Sequence, residues 1–366
     1  MVKLVDFRAA YVTEPELLED VTFSQQVHWF PDTYARAKTG LTYPPHRLAE
    51  KVLDPALLQQ LRDSPLRSAF ILAAGNAHFA GISPSPRESR LTYNYRMLPL
   101  TLTQVYAGRI AQACGASDHV VTDSSACASS LKVMMDVQTL IKFYGFERVV
   151  VLSVEDAVSN LVLEFFGEAK ACLTKKREDE EGLKPSAFDS KNQGFYVGQG
   201  AVFAVFEADH TASPGKASLL GAYTASEPCD NPLGQLDSGL GFVRAAQGAM
   251  RFAGMGASDI RVVKTHGTGT ASNNAAERNA LAHLLPDGFI ATSYKPVIGH
   301  TMGASGLLES CLLVDEMRRG VIPAIPNRTE KDMVFISDPT PNPGGAMLAL
   351  AAGMGNVYSA AIWSLP

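Results

Sequence analysis

The stretch from Leu131 to Phe143 restricts the fold more than any other part of the chain, because it has the length of a helix and is apolar on almost every side. A helix at a protein surface keeps a polar face, so a helix without one is packed between other elements. The strands expected around it, at Ser68–Ala74, His119–Asp123 and Arg148–Val154, contain continuous apolar runs. Such runs are typical of sheets covered on both faces. The sequence therefore predicts a layered α/β fold.

The same order of elements occurs again in the second half of the chain. Ile260–Lys264 is expected to be a strand, THGTGT follows as a turn, and a helix is expected to begin near Asn274. The earlier unit has the same order, with SSACASS as its turn, so the two units predict a duplicated architecture. Prolines interrupt residues 1–70, and the charged run Lys175–Glu181 is predicted to be a solvated loop.

The composition excludes several classes of protein. The formal net charge is -5, so no basic excess points to a nucleic acid, and the longest apolar runs, such as Ala346–Met354, are too short to span a bilayer. The first residues, MVKLVDFR, do not resemble an export signal. The five cysteines are odd in number and include no CxxC pair, which argues against a zinc site or a disulfide framework. We expect a soluble cytoplasmic protein without a metal or other cofactor.

Cys127 stands in DSSACASSL, between an expected strand and the buried helix. Backbone N–H groups at the start of a helix are unpaired and the helix dipole is positive there, and both favour a thiolate. The small neighbours Ala126, Ala128 and Ser129 leave room for another molecule to approach the sulfur. The segment predicts a nucleophile, and a buried structural cysteine is the alternative that fits it.

Two later segments each carry a histidine. In KTHGTGT, His266 precedes two glycines and the hydroxyls of Thr268 and Thr270, which suit a ligand that carries amides. In TSYKPVIGHTMGASG, Lys295 precedes His300, and a nearby ammonium keeps an imidazole neutral so that it donates a hydrogen bond. A glycine-rich surface turn and a salt-bridged surface lysine are the respective alternatives. One thiol and two imidazoles are what acyl transfer followed by carbanion formation requires.

These motifs, in this order, resemble those of the β-ketoacyl synthase family of the thiolase superfamily, in its elongating Cys–His–His branch. SSACASS is similar to the nucleophile motif, HGTGT to the first histidine motif, and KPVIGHTMGASG to the motif with a lysine and the second histidine. AFDSKNQGFYVGQGA and GMGNVYSAAIW also resemble family segments. The resemblance extends from about Ser68 to the C-terminus. It implies a duplicated, five-layered α-β-α-β-α thiolase fold, with halves at residues 1–210 and 211–366.

The resemblance also implies a mechanism. Cys127 would attack an acyl thioester on acyl carrier protein or coenzyme A, with the N–H groups of Cys127 and Met354 as the oxyanion hole. His266 and His300 would hydrogen-bond a malonyl thioester while carbon dioxide leaves, and the carbanion would attack the acyl-cysteine to give a 3-oxoacyl product. The resemblance leaves the pathway open among fatty acid, polyketide and polyene biosynthesis.

Further roles follow from the same resemblance. Lys295, paired with Glu309, would order the histidine site, and Thr268 and Thr270 would bind the phosphopantetheine arm. Phe166 in FFGEAKACL is similar to a gating phenylalanine at the acyl pocket. The family implies a dimer, with an identical chain or with a homologue that lacks the cysteine. Basic residues are candidates for docking an acidic carrier protein: Arg47, Lys51, Arg62, Arg67 and Lys170.

Some features depart from the family pattern. No opening strand with a glycine-rich turn is recognised, so the N-terminal region is expected to be remodelled. Met354 stands where a phenylalanine is usual, and Asn356 where a glycine is common. Two other functions remain open: a thiolase-like or other non-decarboxylating acyltransferase, and a non-catalytic subunit that sets chain length. The first would need a second cysteine in place of the last base, and the second usually lacks the nucleophile.

Overall fold

The computed structural model describes residues 1–19, 25–28, 44–75, 102–228, 230 and 234–366. Within them the strands are β1 (Val2–Ala10), β2 (Glu16–Leu18), β3 (Gln25–His28), β4 (Ser68–Ala73), β5 (Val120–Asp123), β6 (Arg148–Asp156), β7 (Val197–Ala208), β8 (Ala217–Ser226), β9 (Ile260–Lys264), β10 (Ile290–Thr292), β11 (Val321–Ile322), β12 (Thr340–Pro341), β13 (Ala346–Gly353) and β14 (Val357–Ser364). The helices are α1 (Pro44–Glu50), α2 (Pro55–Asp63), α3 (Thr103–Ala113), α4 (Ser129–Tyr144), α5 (Asn160–Glu168), α6 (Lys175–Glu181), α7 (Leu240–Ala253), α8 (Ala271–Leu284), α9 (Lys295–Ile298) and α10 (Ser305–Arg318).

The order of the strands shows the duplication predicted from the sequence. In the first half the order is β5-β4-β6-β7-β1, and in the second half it is β10-β9-β13-β14-β8. The pairings also correspond: β4 is parallel to β5 and β6, as β9 is to β10 and β13, and β6–β7 and β13–β14 are both antiparallel. An antiparallel pairing of β1 with β8 joins the two halves into one continuous sheet.

Three apolar clusters separate the layers. Helices α4 and α10 pack against each other between the two halves of the sheet, and the cluster around them includes Leu131, Val137, Leu308 and Val314. Helices α1 to α3 cover the outer face of the first half, and α7 and α8 cover the outer face of the second. This gives the order helix, sheet, helix, sheet, helix. The helix predicted to be apolar on all sides is the central one, α4.

The element bounds agree with the sequence predictions at most positions. Ile260–Lys264 is a strand with the predicted bounds. The strand predicted at Ser68–Ala74 ends one residue earlier, at Ala73, and the strand predicted at His119–Asp123 begins one residue later, at Val120. The second predicted helix begins at Ala271 rather than near Asn274. Some of the prolines that interrupt the predicted N-terminal segment, such as Pro31, lie outside the described residues.

Two sequence predictions about structure were wrong. The expectation that no opening strand is present was wrong, because β1 opens the fold; its register shifts between Leu4 and Asp6, so its apolar residues do not alternate regularly. The lack of a glycine-rich turn is not contradicted, because the first glycine of the sequence is Gly40. Lys175–Glu181 is not a loop but the short helix α6. It forms because the Thr174 side chain accepts from Arg177 N at its start and Gly182 ends it in the left-handed region.

Candidate active site

Cys127 lies in a tight turn between β5 and α4. Ala126 has a φ of 49°, in the left-handed region, and Ala126–Ala128 form one turn of 3-10 helix before α4 begins at Ser129. The end of β13 approaches this turn so closely that a Cβ on Gly353 would lie 2.6 Å from the Ser125 carbonyl oxygen. A glycine is therefore required there, because it lets the backbone of β13 approach the Ala126–Ala128 turn that carries Cys127.

The Cys127 thiol is enclosed. Its Sγ lies 3.8 Å from Sδ of Met302, in an apolar cluster that includes Phe166 and Phe195. Burial raises the pKa of Cys127 to about 12, against the opposing effect of Lys295. The sequence predicted a thiolate from the helix start, but the loss of solvation outweighs that effect and the resting thiol carries its proton.

His266 follows β9 in a loop held by one buried carboxylate. Glu277 accepts hydrogen bonds from the backbone N–H of His266 at 2.6 Å and of Gly267 at 2.7 Å. Gly269 has a φ of 71°, and a Cβ there would lie 1.9 Å from the Ser186 carbonyl oxygen. The glycines of HGTGT thus serve a backbone that is both left-handed and crowded.

His300 is held by backbone on one side and by a hydroxyl on the other. The backbone N–H of His300 donates to the Tyr196 carbonyl at 2.7 Å, and the ring Nδ1 lies 3.0 Å from Oγ of Ser305. The ring meets Phe195 edge-on, with centroids 5.0 Å apart. The centroids of the His266 and His300 rings are 5.6 Å apart. The two imidazoles, which α8, β10 and α9 separate in sequence, are direct neighbours.

A buried cluster of charges lies beneath the imidazoles. Glu309 on α10 accepts from Lys295 at 2.9 Å, and Lys295 Nζ also donates to the His266 carbonyl at 2.5 Å. The second carboxylate oxygen of Glu309 accepts from Lys264, also at 2.9 Å, and all three side chains are buried. Lys264 was not among the site residues predicted from the sequence. A lysine as the last residue of an otherwise apolar strand was the available signal, since a charge there needs a partner.

Both imidazoles are neutral. Burial is the larger cause that lowers the pKa of His266 and of His300 well below the usual value, and the Lys295 ammonium is the next. The lysine alone was expected from the sequence to keep the second imidazole neutral, but burial is the larger cause. A neutral imidazole has one N–H to donate and one nitrogen that accepts.

One cavity joins the thiol to the imidazoles. Its volume is about 340 Å³, and Cys127, His266 and His300 all line it. Other residues expected at the site line it as well: Phe166, Thr268, Thr270 and Met354. The hydroxyls of the two threonines are 3.1 Å apart. Lys295 and Glu309 are not among the lining residues and lie beneath the imidazoles.

The basic residues expected to dock a carrier protein are more dispersed. Lys51, Arg62, Arg67 and Lys170 are exposed, and Arg47 is half-buried. Lys170 lines the cavity, with a φ of 52°. Arg67 stacks over the Phe146 ring at 4.3 Å. Of these five, Lys170 is therefore the one placed where it can meet a molecule entering the cavity.

Two family models match most of the chain. The beta-ketoacyl synthase N-terminal domain matches residues 48–212, and the beta-ketoacyl synthase C-terminal domain matches residues 217–329. Among curated relatives, 3-oxoacyl-[acyl-carrier-protein] synthase 2 of Vibrio cholerae serotype O1 is 28% identical over 258 residues, which cover 66% of this chain and 59% of that protein. The chain spans 59–60% of the length of three of the curated relatives it matches.

Solved structures share the whole fold. A type II polyketide synthase complex, AntDE:AntF, of acyl carrier protein and its ketosynthase bound to a hexaketide, aligns with a TM-score of 0.83 and 17% identity over 100% of this chain and 99% of that one. The ketosynthase ApeO in complex with its chain length factor ApeC from Xenorhabdus doucetiae aligns with a TM-score of 0.78 and 16% identity. The alignment covers 100% of this chain and 98% of that one. The predicted thiolase fold is thereby confirmed. In the described ranges, no helix has both the length and the apolar character needed to cross a membrane.

Proposed function

This chain belongs to the β-ketoacyl synthase family, and on that premise we propose that it is an acyltransferase that catalyses a decarboxylative Claisen condensation. The substrates are an acyl thioester and malonyl-acyl carrier protein, and the product is 3-oxoacyl-acyl carrier protein. The observation that carries the proposal is the single cavity lined by Cys127, His266 and His300. Of the cysteines in the described part of the chain, only Cys127 lines it, which disfavours a thiolase with two cysteines.

The first half-reaction transfers the acyl group to Cys127. The sulfur attacks the thioester carbonyl, the carbon–sulfur bond to the carrier breaks, and the thiol proton ends on the departing phosphopantetheine thiol. The backbone N–H groups of Cys127 and Met354 form the oxyanion hole in this proposal. The close approach of Gly353 to the nucleophile turn supports it, because Met354 is the next residue.

The second half-reaction uses the imidazoles. His266 and His300 donate to the malonyl thioester oxygen as carbon dioxide leaves, and each such donor is typically worth about 2.7–4 kcal/mol of barrier. The carbanion then attacks the acyl-cysteine, and the cysteine sulfur leaves and takes up a proton. Neutral rings suit this role, because they donate a hydrogen bond without protonating the carbanion.

Surrounding residues have supporting roles in this proposal. Lys295 and Glu309 hold the His266 loop through the Lys295 bond to the His266 carbonyl. Thr268 and Thr270 bind the phosphopantetheine arm at the cavity wall. Phe166 gates the acyl pocket, and its ring lies edge-on to Phe195, which in turn contacts His300.

The partners and the division of the chain are part of the same proposal. We assign an acyl carrier protein as the donor of both substrates, and a second copy or a ketosynthase-like homologue as the dimer partner. The halves are residues 1–210 and 211–366, supported by the repeated strand order and by family models that end at 212 and begin at 217. A cytoplasmic location is supported by the free thiols at Cys114, Cys127, Cys172 and Cys311, as in a reducing compartment. Fractionation of the producing cells tests that location.

The direct test combines labelled malonyl-acyl carrier protein with an acyl donor. Wild-type protein gives 3-oxoacyl product, while Cys127→Ala gives none but still releases carbon dioxide from the malonyl group. Cys172→Ala is the matched control, because Cys172 is buried in the same apolar cluster and does not line the cavity. A wild-type protein that forms no acyl-cysteine by mass and releases no carbon dioxide would show a non-catalytic subunit instead.

A further inference from the structure

The Ser305 hydroxyl lies between His300 and Thr301 in the buried core of the site. Its Oγ is 3.0 Å from Nδ1 of His300 and 3.1 Å from Oγ1 of Thr301. All three side chains are buried, with Ser305 only 1% and Thr301 0% exposed. These hydroxyls are shielded from bulk solvent, and the hydrogen bonds of both lie within this group of three.

The possible arrangements of the hydrogens differ in what they leave unpaired. If Nδ1–H and Thr301 both donate to Ser305, the Ser305 hydrogen has no acceptor within the group. Two arrangements remain in which Ser305 both donates and accepts. In one, Thr301 donates to Ser305 and Ser305 donates to Nδ1, so every hydrogen has an acceptor. In the other, Nδ1–H donates to Ser305 and Ser305 donates to Thr301. The Thr301 hydrogen then has no acceptor among the residues that the structure describes. A buried donor without a partner costs about 1–3 kcal/mol, so the first arrangement is favoured.

We propose that Ser305 is a positioning residue that fixes the tautomer of His300 with its proton on Nε2. Because Nδ1 accepts from the hydroxyl, the single N–H of the neutral ring is on the other nitrogen, which remains for the cavity that His300 lines. The opposite tautomer presents a lone pair to the cavity and repels an enolate oxygen. The inference rests on the proposed function only for its effect on catalysis. The tautomer itself is a property of the resting protein.

The contrast with two other groups supports this assignment. Nδ1 of His266 is buried without a hydrogen-bond partner in the described part of the chain, so no hydroxyl sets the tautomer of that ring. Ser129 is the counterpart of Ser305 at the start of α4, and its Oγ donates to the Ala126 carbonyl at 2.6 Å and accepts from Ser125 N at 2.8 Å. A serine at this helix start therefore binds its own turn in one half of the molecule and the imidazole in the other.

The test reads the tautomer directly. Long-range ¹H–¹⁵N correlation spectra of histidine-labelled protein distinguish Nε2–H from Nδ1–H, and His300→Gln identifies the signals of His300 among the eight histidines. Wild-type protein is expected to show Nε2–H, and Ser305→Ala a mixture of both tautomers. Ser305→Thr keeps the hydroxyl and is expected to restore Nε2–H. Nδ1–H in the wild type, or an unchanged tautomer in Ser305→Ala, would overturn the proposal.

Thr301→Val reveals the direction of the hydrogen bonds. If Ser305 donates to Nδ1, removal of the Thr301 hydroxyl leaves the tautomer unchanged. If the bonds run the other way, the variant deprives the Ser305 hydrogen of its acceptor and the tautomer shifts, which would refute the assignment. Ser310→Ala is the control, because Ser310 is a buried serine on the same helix whose Oγ donates to the Gly306 carbonyl.

A kinetic measurement separates this inference from the proposed function. Ser305→Ala is expected to lower decarboxylation of malonyl-acyl carrier protein by about 10- to 100-fold, less than complete loss of a donor. Formation of acyl-cysteine is expected to stay within about threefold, and Ser305→Thr to recover most of the decarboxylation. If the wild-type protein is inactive but shows Nε2–H on His300, and Ser305→Ala loses that tautomer, the proposed function is rejected. The assignment of the Ser305 hydroxyl as the group that fixes the tautomer then stands. A Ser305→Ala variant that decarboxylates at the wild-type rate rejects the catalytic part of the assignment.

Discussion

The turn at Ala126–Ala128 and the turn at Met302–Ala304 have the same backbone and different tasks. Each starts with a left-handed residue other than glycine, at φ 49° for Ala126 and 41° for Met302. Each makes one turn of 3-10 helix, and a central helix begins at the next residue. The duplication has therefore kept the strained frame in both halves.

The side chains on this frame have diverged. The first half places Cys127 in its turn, where the second has Gly303, and the second half places Glu309 on its helix where the first has Val133. One half thus provides an apolar environment for sulfur, and the other provides imidazoles above buried charges. In the proposed reaction, two chemical steps with different electrostatic needs share one cavity, and each uses its own copy of the same backbone frame.

The largest effect is expected from removing the acid of the charged half. Glu309→Ala leaves the ammonium groups of Lys264 and Lys295 buried without their partner, which is expected to cost about 3–5 kcal/mol in the free energy of unfolding. Val133→Ala, at the matching position of the apolar half, is expected to cost roughly 2 kcal/mol through a cavity. Urea unfolding measures both. Equal losses would mean that the two halves do not differ in buried charge.

The next prediction concerns the division of the two steps. His266→Ala and His300→Ala are each expected to slow carbon dioxide release from malonyl-acyl carrier protein by about 10²- to 10³-fold, because each removes one donor to the enolate oxygen. Acylation of Cys127, followed by mass, is expected to remain. If either variant blocks acylation as strongly as decarboxylation, the two halves do not serve separate steps.

A pH series is expected to change the reactivity of the Cys127 thiol about tenfold per pH unit, while the step that depends on the imidazoles does not change. With the pKa of Cys127 at about 12, the thiolate fraction rises tenfold for each unit of pH below that value, and alkylation by iodoacetamide is expected to rise with it. The imidazole pKa values lie well below 6.5, so both rings stay neutral as the pH falls through 6.5. Decarboxylation is therefore expected to show no inflection there. An alkylation rate that levels off near pH 8 would contradict the burial of the thiol.

The smallest effect is expected at the cavity wall. Thr268→Val removes a hydroxyl assigned to the phosphopantetheine arm, and one such hydrogen bond is worth about 1 kcal/mol. The KM for malonyl-acyl carrier protein is expected to rise roughly fivefold with kcat unchanged, because ground state and transition state lose the same contact. A fall in kcat instead would place Thr268 among the groups that act on the reacting atoms.

Much of the central architecture could be predicted because local sequence dictates it. The strand at Ile260–Lys264 and the helix at Ser129–Tyr144 are marked by apolar runs that tertiary contacts do not alter. The strand β1 was missed because its charges and its irregular register hide the alternation. The helix at Lys175–Glu181 was missed because its high charge indicated a solvated loop. Its caps at Thr174 and Gly182 and its salt bridges between residues i and i+4 stabilise a helix instead.

The residues of the candidate site could be predicted from the sequence, but their protonation and their hydrogen-bond partners could not. Motif order identified Cys127, His266 and His300, and the structure brings them to one cavity. The protonation of the thiol depends on burial, which no local pattern reveals. Lys264 and Ser305 were not identified, because their importance comes from partners that lie far along the chain or across a turn.

The pairing of the first strand determines the order in which the molecule assembles. Residues 2–10 lie along residues 201–208 of β7, and Val2, Lys3 and Leu4 also pair with Leu219, Ser218 and Ala217 of β8. During synthesis on the ribosome, β1 therefore waits until about two hundred further residues have emerged, and contacts so distant in sequence form slowly. The edges that β1 later covers stay open in the nascent chain, where a chaperone or a neighbouring chain can reach them. We therefore expect the pairing of β1 with β8, which makes the sheet continuous across the two halves, to be among the last contacts to form.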